Sequence, residues 1–204
     1  MYHLEVSSEW NSIHSEDLWV YNKLILSRVL GYNCGPAGLS VPKPDFYIVR
    51  PSMNFMGMGR FSRVEFIEDS TEHLHPSEFW CELFVGEHLS VDYKKGIPNL
   101  IVKGERSPQQ NNLYKWSRWY KIERKVEFPK VLNSFKEKYE WINCEFIEGK
   151  LIEVHFRRNS DFRYGNTVAI PIWKDEDLNI DSKYTFVEDE DYHRLGFLID
   201  HDKG

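Results

Sequence analysis

The sequence predicts an α+β protein in which short antiparallel strands outnumber helices. Brief runs rich in β-branched and aromatic residues recur along the chain, among them 46–49, 61–67, 79–85, 89–93, 99–103, 142–147 and 168–173. Apolar residues at helical spacing are confined to two short segments. Turn residues such as Lys94-Lys95-Gly96 and Glu148-Gly149 separate neighbouring runs as hairpin tips do. At 204 residues, 41% hydrophobic and 28% charged, the chain has material for one compact domain or two small lobes around a real core.

Composition excludes several roles. A net charge of −6 gives no general electrostatic case for nucleic acid. The aromatic share of 15% provides planar surfaces for packing or for stacking on bases. Cys34, Cys81 and Cys144 are widely spaced and odd in number, so neither zinc spacing nor a disulfide framework is expected, and a reducing cytoplasm is. No apolar run is long enough to span a membrane, and MYHLEVSSEW lacks the apolar centre of a secretory signal.

In chain order, Ser15-Glu16-Asp17 reads as a helix start, with Leu18, Tyr21, Ile25 and Val29 as its apolar face and Gly31 and Asn33 as its stop. Cys34 to Pro44 reads as a loop. The run 46–49 reads as a strand paired with 61–67, which puts the glycine-containing segment 53–59 at a hairpin tip. Glu68 to Pro76 is a polar loop, 79–85 a buried strand, and 89–93 and 99–103 further strands. Pro129 opens a second helix with apolar face Val131, Leu132, Phe135 and Tyr139. Residues 142–147 and 150–156 form a hairpin, 168–173 a strand, and 188–191 a solvated acidic loop.

Three stretches could carry chemistry. The first strand delivers Arg50, stops at Pro51 and gives way to Gly57-Met58-Gly59. A fixed guanidinium followed by glycines suits phosphate, which takes charge-assisted hydrogen bonds from both arginine and backbone N–H. The plain alternative is a strand ending in an ordinary loop. In the hairpin 142–156, Glu145 and Glu153 lie on paired strands. A simple two-residue turn sets them on opposite faces, and a bulged three-residue turn brings them together. With His155, Arg157, Arg158 and Asn159 following, they suit Mg²⁺ and a polyphosphate; ordinary alternating surface charge is the alternative. In Cys81 to Tyr93, a strand carrying Glu82 passes through Gly86 to Glu87 and His88, and its edge can offer backbone groups to a base.

These stretches occur in an order that resembles the ATP-grasp superfamily of carboxylate–amine ligases. The residues are Val49-Arg50-Pro51, Gly57-Met58-Gly59, Glu82-Leu83-Phe84-Val85-Gly86-Glu87-His88, Glu145, and Glu153-Val154-His155-Phe156-Arg157, within about 22–159. The resemblance implies two small lobes with antiparallel sheets around a nucleotide cleft: a lid lobe at about 35–80 and a larger lobe at about 81–204. It implies ATP and Mg²⁺, an acylphosphate on a small-molecule or peptide carboxylate, and its displacement by an amine or related nucleophile. Arg50 and Gly57 to Gly59 would hold phosphates, Glu82, Leu83 and Phe84 the adenine, and Glu87 or His88 the ribose. Glu145, Glu153, His155 and Asn159 would serve the metal, and Arg157, Arg106 and Lys103 the transferred group.

This chain departs from the family pattern at Arg50, where lysine is usual, at His88, where a ribose carboxylate is usual, and at His155, where the metal-binding asparagine is usual. Only about forty residues precede the first motif, so acceptor recognition is expected from the C-terminal segment, a partner protein or a second copy. Compact chains of this type are of the kind phages encode, which would act in the host cytoplasm. The competing function is a nucleotide- or partner-binding module without ligase turnover.

Other features weigh less. His73 and His75 read as a loop pair rather than a metal pair, and Trp116 and Trp119 as inward-packing rather than single-strand-binding. Met53, Met56 and Met58 suit a mobile lid and core filling equally, and Cys34 has no evident base. Because Ile152 and Val154 should point into the core, Glu153 should face the cleft beside Glu145 and Arg50. Its replacement by Gln should then spare the fold.

Overall fold

The computed structural model describes residues 13–53, 59, 61–106, 113, 115–176, 181–190 and 193–200. Its twelve described strands form two sheets, and every pairing is antiparallel. The small sheet comes from β1 (Cys34–Pro36), β2 (Asp45–Pro51), β3 (Arg63–Ile67) and β4 (Glu78–Glu82), in the order β1-β4-β2-β3. The large sheet comes from β5 (His88–Lys94), β6 (Ile97–Glu105), β7 (Arg118–Lys121), β8 (Trp141–Ile147), β9 (Lys150–His155), β10 (Val168–Trp173), β11 (Tyr184–Glu188) and β12 (Arg194–Asp200). Its order is β11-β12-β10-β7-β6-β5-β8-β9.

Local chemistry accounts for these elements. Alternation makes β2 two-faced: Tyr47 and Val49 pack with Trp80, Val41 and Ile67, while Ile48 and Arg50 face the other way and line a cleft. The expected β2–β3 pair forms, from Asp45↔Ile67 to Val49↔Arg63. Lys95 and Gly96 both have positive φ, as do Glu148 and Gly149, which is the backbone that a tight two-residue hairpin needs.

The helical segments depart from the sequence reading. In place of one helix over 15–29 there is a 3-10 turn, Ser15–Tyr21, and a separate helix α1, Lys23–Val29. Asn22 divides them, its side chain accepting from the Ile25 N–H at 3.1 Å as an N-cap. The expected apolar face is also wrong. Ile25 and Val29 are exposed, and α1 instead buries Lys23, Leu26 and Ser27 against β1, β4 and β9. The second expected helix is only a 3-10 turn, Lys130–Leu132, although Leu132 and Phe135 join the main core and Val131 and Tyr139 pack against it. Strand 79–85 stops at Glu82, and Leu83 to Glu87 crosses to the large sheet.

Three cores result. The main one packs β5, β8 and β9 against Val20, Leu26, Leu132 and Phe135. A second lies on the far face of the small sheet, and a third holds Val102, Phe162, Ala169 and Phe197. No helix among the described residues is long and apolar enough to cross a membrane.

Candidate functional site

A cleft of about 870 Å³ lies between the two sheets. The small sheet contributes Ile48, Arg50, Val64 and Cys81, the crossing segment contributes Leu83 to Gly86, and α1 contributes Lys23. The large sheet contributes His88, Ser90, Gly104, Asn143, Glu145, Ile147, Ile152, Glu153 and His155. Beyond β9 come Arg157, Asn159 and Asp161, and Arg106, Trp116 and Trp119 wall the other side. The end by the crossing is largely apolar, and charge gathers deeper in.

Arg50, Glu145 and Glu153 therefore line one cleft, and the reason lies in β9. Pairing runs Ile147↔Lys150 and Phe146↔Leu151, then skips a residue to Glu145↔Glu153. Ile152 is a β-bulge. It shifts the strand so that Glu153 lies opposite Glu145 rather than opposite Cys144. The turn itself is the plain two-residue one of the two alternatives the sequence left open, and the carboxylates meet all the same because the bulge sits in the strand. Ile152, although buried, accordingly lines the cleft and not the main core, correcting the alternation argument, whereas Leu151 and Val154 belong to that core.

Arg50 is 8% exposed. Its Nη2 donates to the Ile152 carbonyl at 3.3 Å, its guanidinium lies 5.4 Å from the Phe79 ring centre, and its buried Nε has no hydrogen-bond partner. Burial pulls its pKa down; Glu153 and, more weakly, Glu145 oppose that pull. An arginine so desolvated, with an unused donor, is suited to an anion.

Glu153 is more heavily engaged than its sequence suggested. Lys23 Nζ lies 3.0 Å from its Oε2 and His155 Nε2 lies 3.1 Å from its Oε1. Burial alone would raise its pKa, but Lys23, His155 and Arg50 outweigh burial and hold the carboxyl well below the usual range. Glu145 Oε2 meets His88 Nε2 at 3.1 Å. The His88 ring sits edge-on to Trp116 and Trp119, and its buried Nδ1 has no partner.

Asp92, almost fully buried, organises the loop beyond β9. It accepts from Asn143 Nδ2 at 2.8 Å and from the Asn159 N–H at 2.9 Å. Burial pushes its pKa up despite those bonds and the nearby Arg158 and Arg157. Asn159 uses its side chain to accept from the Asp161 N–H and to donate to Ser90 Oγ. Together these contacts fix the segment that brings Arg157 and Asn159 to the cleft.

Several expected site residues lie elsewhere. Glu82 does not line the cleft; its Oε1 accepts from the Asn33 N–H at 3.1 Å and closes the end of β1. Glu87 and Lys103 pair with each other at 2.9 Å away from the cleft, and Arg124 also holds Glu87. Leu83, Phe84, His88, Arg106 and Arg157 do line it. Gly59 lines it too, whereas Met56, Gly57 and Met58 lie outside the described residues. His73 binds Glu65 and His75 binds Ser77, as loop residues do.

Lys23, Asp92 and Asn143 were missed. A lysine at a helix start reads as solvated, and only the buried Glu153 reveals its place. Alternation within β5 and β8 would have put Ser90, Asp92, Asn143 and Glu145 on one face, had polar residues inside strands been followed.

Among the described residues no three His, Cys, Asp or Glu side chains converge as a metal site. The facing carboxylates nevertheless fit Mg²⁺, which commonly takes one or two carboxylates and completes its shell with phosphate oxygens and water. His155 is turned to Glu153 and the Asn159 side-chain oxygen accepts from the Asp161 N–H, so Glu145 and Glu153 are the residues that would hold such an ion.

Arg106 stacks its guanidinium 4.1 Å from the Trp116 ring centre and donates to the Leu113 carbonyl at 2.6 Å. Both indoles approach β6 closely at Gly104, where no side chain stands in the way. A Cβ there would stand 2.7 Å from Trp116 and 2.9 Å from Trp119. Gly104→Ala is expected to cost about 2 kcal/mol by overpacking; a melting temperature equal to wild type would contradict this close approach.

No family model matches the sequence, and no curated protein matches it. Among solved structures, a protein assigned to the ATP-grasp superfamily from Archaeoglobus fulgidus matches at TM-score 0.50 and 12% identity, over 90% of this chain and 65% of its own. The L-amino acid ligase from Bacillus licheniformis matches at TM-score 0.47 and 11% identity, over 91% and 67%. The ATP-grasp ligase PsnB complexed with minimal precursor matches at TM-score 0.45 and 14% identity, over 71% and 53%. The chain thus spans between about half and two thirds of the lengths of these proteins. The first likeness is one of fold.

Proposed function

This chain has an ATP-grasp-like fold, and we propose that it is an ATP-dependent ligase joining a carboxylate to an amine or related nucleophile. The observation that carries the reading is Arg50: a buried guanidinium with an unused Nε, in the same cleft as Lys23 and two facing carboxylates. In this reading residues 35–80 act as the lid lobe and 81–204 as the body. The apolar end by Ile48, Val64, Leu83, Phe84 and Ile147 takes the adenine, and the backbone of 83–86 reads its edge. Arg50 and Lys23 hold the phosphates.

Glu145 and Glu153 would hold Mg²⁺, which supplies charge neutralisation for the triphosphate. A substrate carboxylate oxygen attacks the γ-phosphorus and ADP leaves. The nucleophile's nitrogen then attacks the acyl carbon and phosphate leaves. Arg157 and Arg106 offset the negative charge that grows on the transferred group, so the protein's share is positioning and electrostatics.

Saturating Mg·ATP is expected to raise the melting temperature by about 5 °C or more, and a carboxylate–amine panel to stimulate release of ADP and phosphate. No thermal response to Mg·ATP or Mg·ADP in folded protein would overturn the reading. A second reading, a nucleotide-binding module without turnover, draws on the engagement of Glu153 by both Lys23 and His155. Binding without ADP release across the panel would establish it instead.

A further inference from the structure

Cys34 and Cys81 face each other across β1 and β4. The Glu82 N–H donates to the Asn33 carbonyl at 2.8 Å, and the Ala37 N–H to the Glu78 carbonyl at 3.3 Å. Bonded pairs alternate with non-bonded ones along an antiparallel ladder, so bonded positions at 33–82 and 37–78 place Cys34–Cys81 at a non-bonded position. There the Cα atoms approach to about 4.5 Å, within the range of about 4.4–6.8 Å that a disulfide spans. The two thiols stand close enough to influence each other's titration, as does Ser27 on α1 with Cys81.

The two sulfurs have different surroundings. Cys34 is partly exposed, whereas Cys81 is buried in the cleft wall. Around them stand Arg28 and Arg50 as cations and Glu82 as an anion. The neighbouring Cys81 thiol, with Arg28 and Arg50, draws the Cys34 pKa down against burial and Glu82, while the Cys34 thiol and burial push Cys81 up. Cys144 lies in the core of the other sheet, fully enclosed.

We propose that Cys34 and Cys81 form a peroxide-sensitive dithiol, with Cys34 the attacking sulfur and Cys81 the resolving one. The Cys34 thiolate attacks one oxygen of a hydroperoxide; the O–O bond breaks, leaving a sulfenic acid and the hydroxide or alkoxide of the other half. The Cys81 sulfur then attacks the Cys34 sulfur. An S–S bond forms, the S–O bond breaks, and the hydroxyl leaves as water with the Cys81 proton. A small thiol such as dithiothreitol reverses the change by exchange. The site needs no nucleotide, so its fate is separable from that of the ligase reading.

The test is hydrogen peroxide treatment of the native chain, alkylation under denaturing conditions, and peptide mapping. The expected product is an intramolecular Cys34–Cys81 cross-linked peptide, reducible by dithiothreitol, with Cys144 still fully alkylated. In Cys81→Ser, Cys34 should stop at a sulfenic acid that dimedone traps. In Cys34→Ser, oxidation of Cys81 should slow about tenfold or more, because the accessible thiolate is gone. The proposal falls if Cys34 over-oxidises while Cys81 remains alkylated. It also falls if Cys144 is lost at the same rate, or if Cys34→Ser leaves Cys81 as reactive as before.

Discussion

Glu153→Gln is expected to destabilise the free protein by roughly 3 kcal/mol and to abolish Mg²⁺-dependent nucleotide binding. The loss of stability reverses the expectation from sequence, in which Glu153 faces the cleft and its replacement by Gln spares the fold. In the structure, Lys23 is 4% exposed and its ammonium rests on Glu153. The neutral isostere leaves that ammonium buried beside Arg50 without its counter-charge. Lys23→Met in the same background removes the orphaned cation and should recover part of the lost stability, though none of the nucleotide binding. The effect has a pH signature. The folded carboxyl titrates below its unfolded value, so its stabilisation is complete above the unfolded pKa of about 4.3 and is lost as pH falls through the folded one. The gap between wild type and variant should therefore be full at neutral pH and should narrow in acid below about pH 4. A gap that stayed constant through that range would show that charge is not its source.

Arg50→Met is expected to weaken nucleotide binding about 100-fold, the loss of about 3 kcal/mol from charge-assisted bonds to phosphate. Its effect on the free protein should be small, within about 3 °C of the wild-type melting temperature. The guanidinium rests on a carbonyl and a ring face, so an apolar chain of similar length relieves a desolvation cost that offsets these contacts and the attraction to Glu153 that it forfeits. Calorimetric titration with Mg·ADP beside a melting curve checks both halves. Unchanged affinity in Arg50→Met would remove the phosphate role from Arg50.

Where local chemistry decides structure, the sequence was readable. The β2–β3 pair and the β8–β9 hairpin follow from alternation and from turns that tolerate positive φ. The gathering of Arg50, Glu145, Glu153, His88 and Arg157 around one cleft follows the order of the motifs and not alternation, which without the Ile152 bulge sets Glu153 opposite Cys144, and Glu82, Glu87 and Lys103 stand apart from that cleft. What could not be read depends on tertiary partners. Leu132, Phe135 and Tyr139 have helical spacing, yet they reach the core from turns because the sheet face they cover sets their direction. β12 went unread because Gly196 interrupts its run and only pairing with β10 and β11 makes it a strand. Lys23 looked like any exposed helix lysine until Glu153 was placed beside it.

The extra residue at Ile152 bears on how this chain tolerates changes in length. Excising that one residue would restore an uninterrupted ladder, and the two carboxylates would still meet, because the count from the turn to Glu153 would then match the count back to Glu145. What would vanish is the carbonyl on which the Arg50 guanidinium rests. The hairpin is therefore free to shed a residue as a hairpin but not as the floor of a cleft. A single-codon deletion here should yield a protein that folds and has mislaid the aim of one arginine.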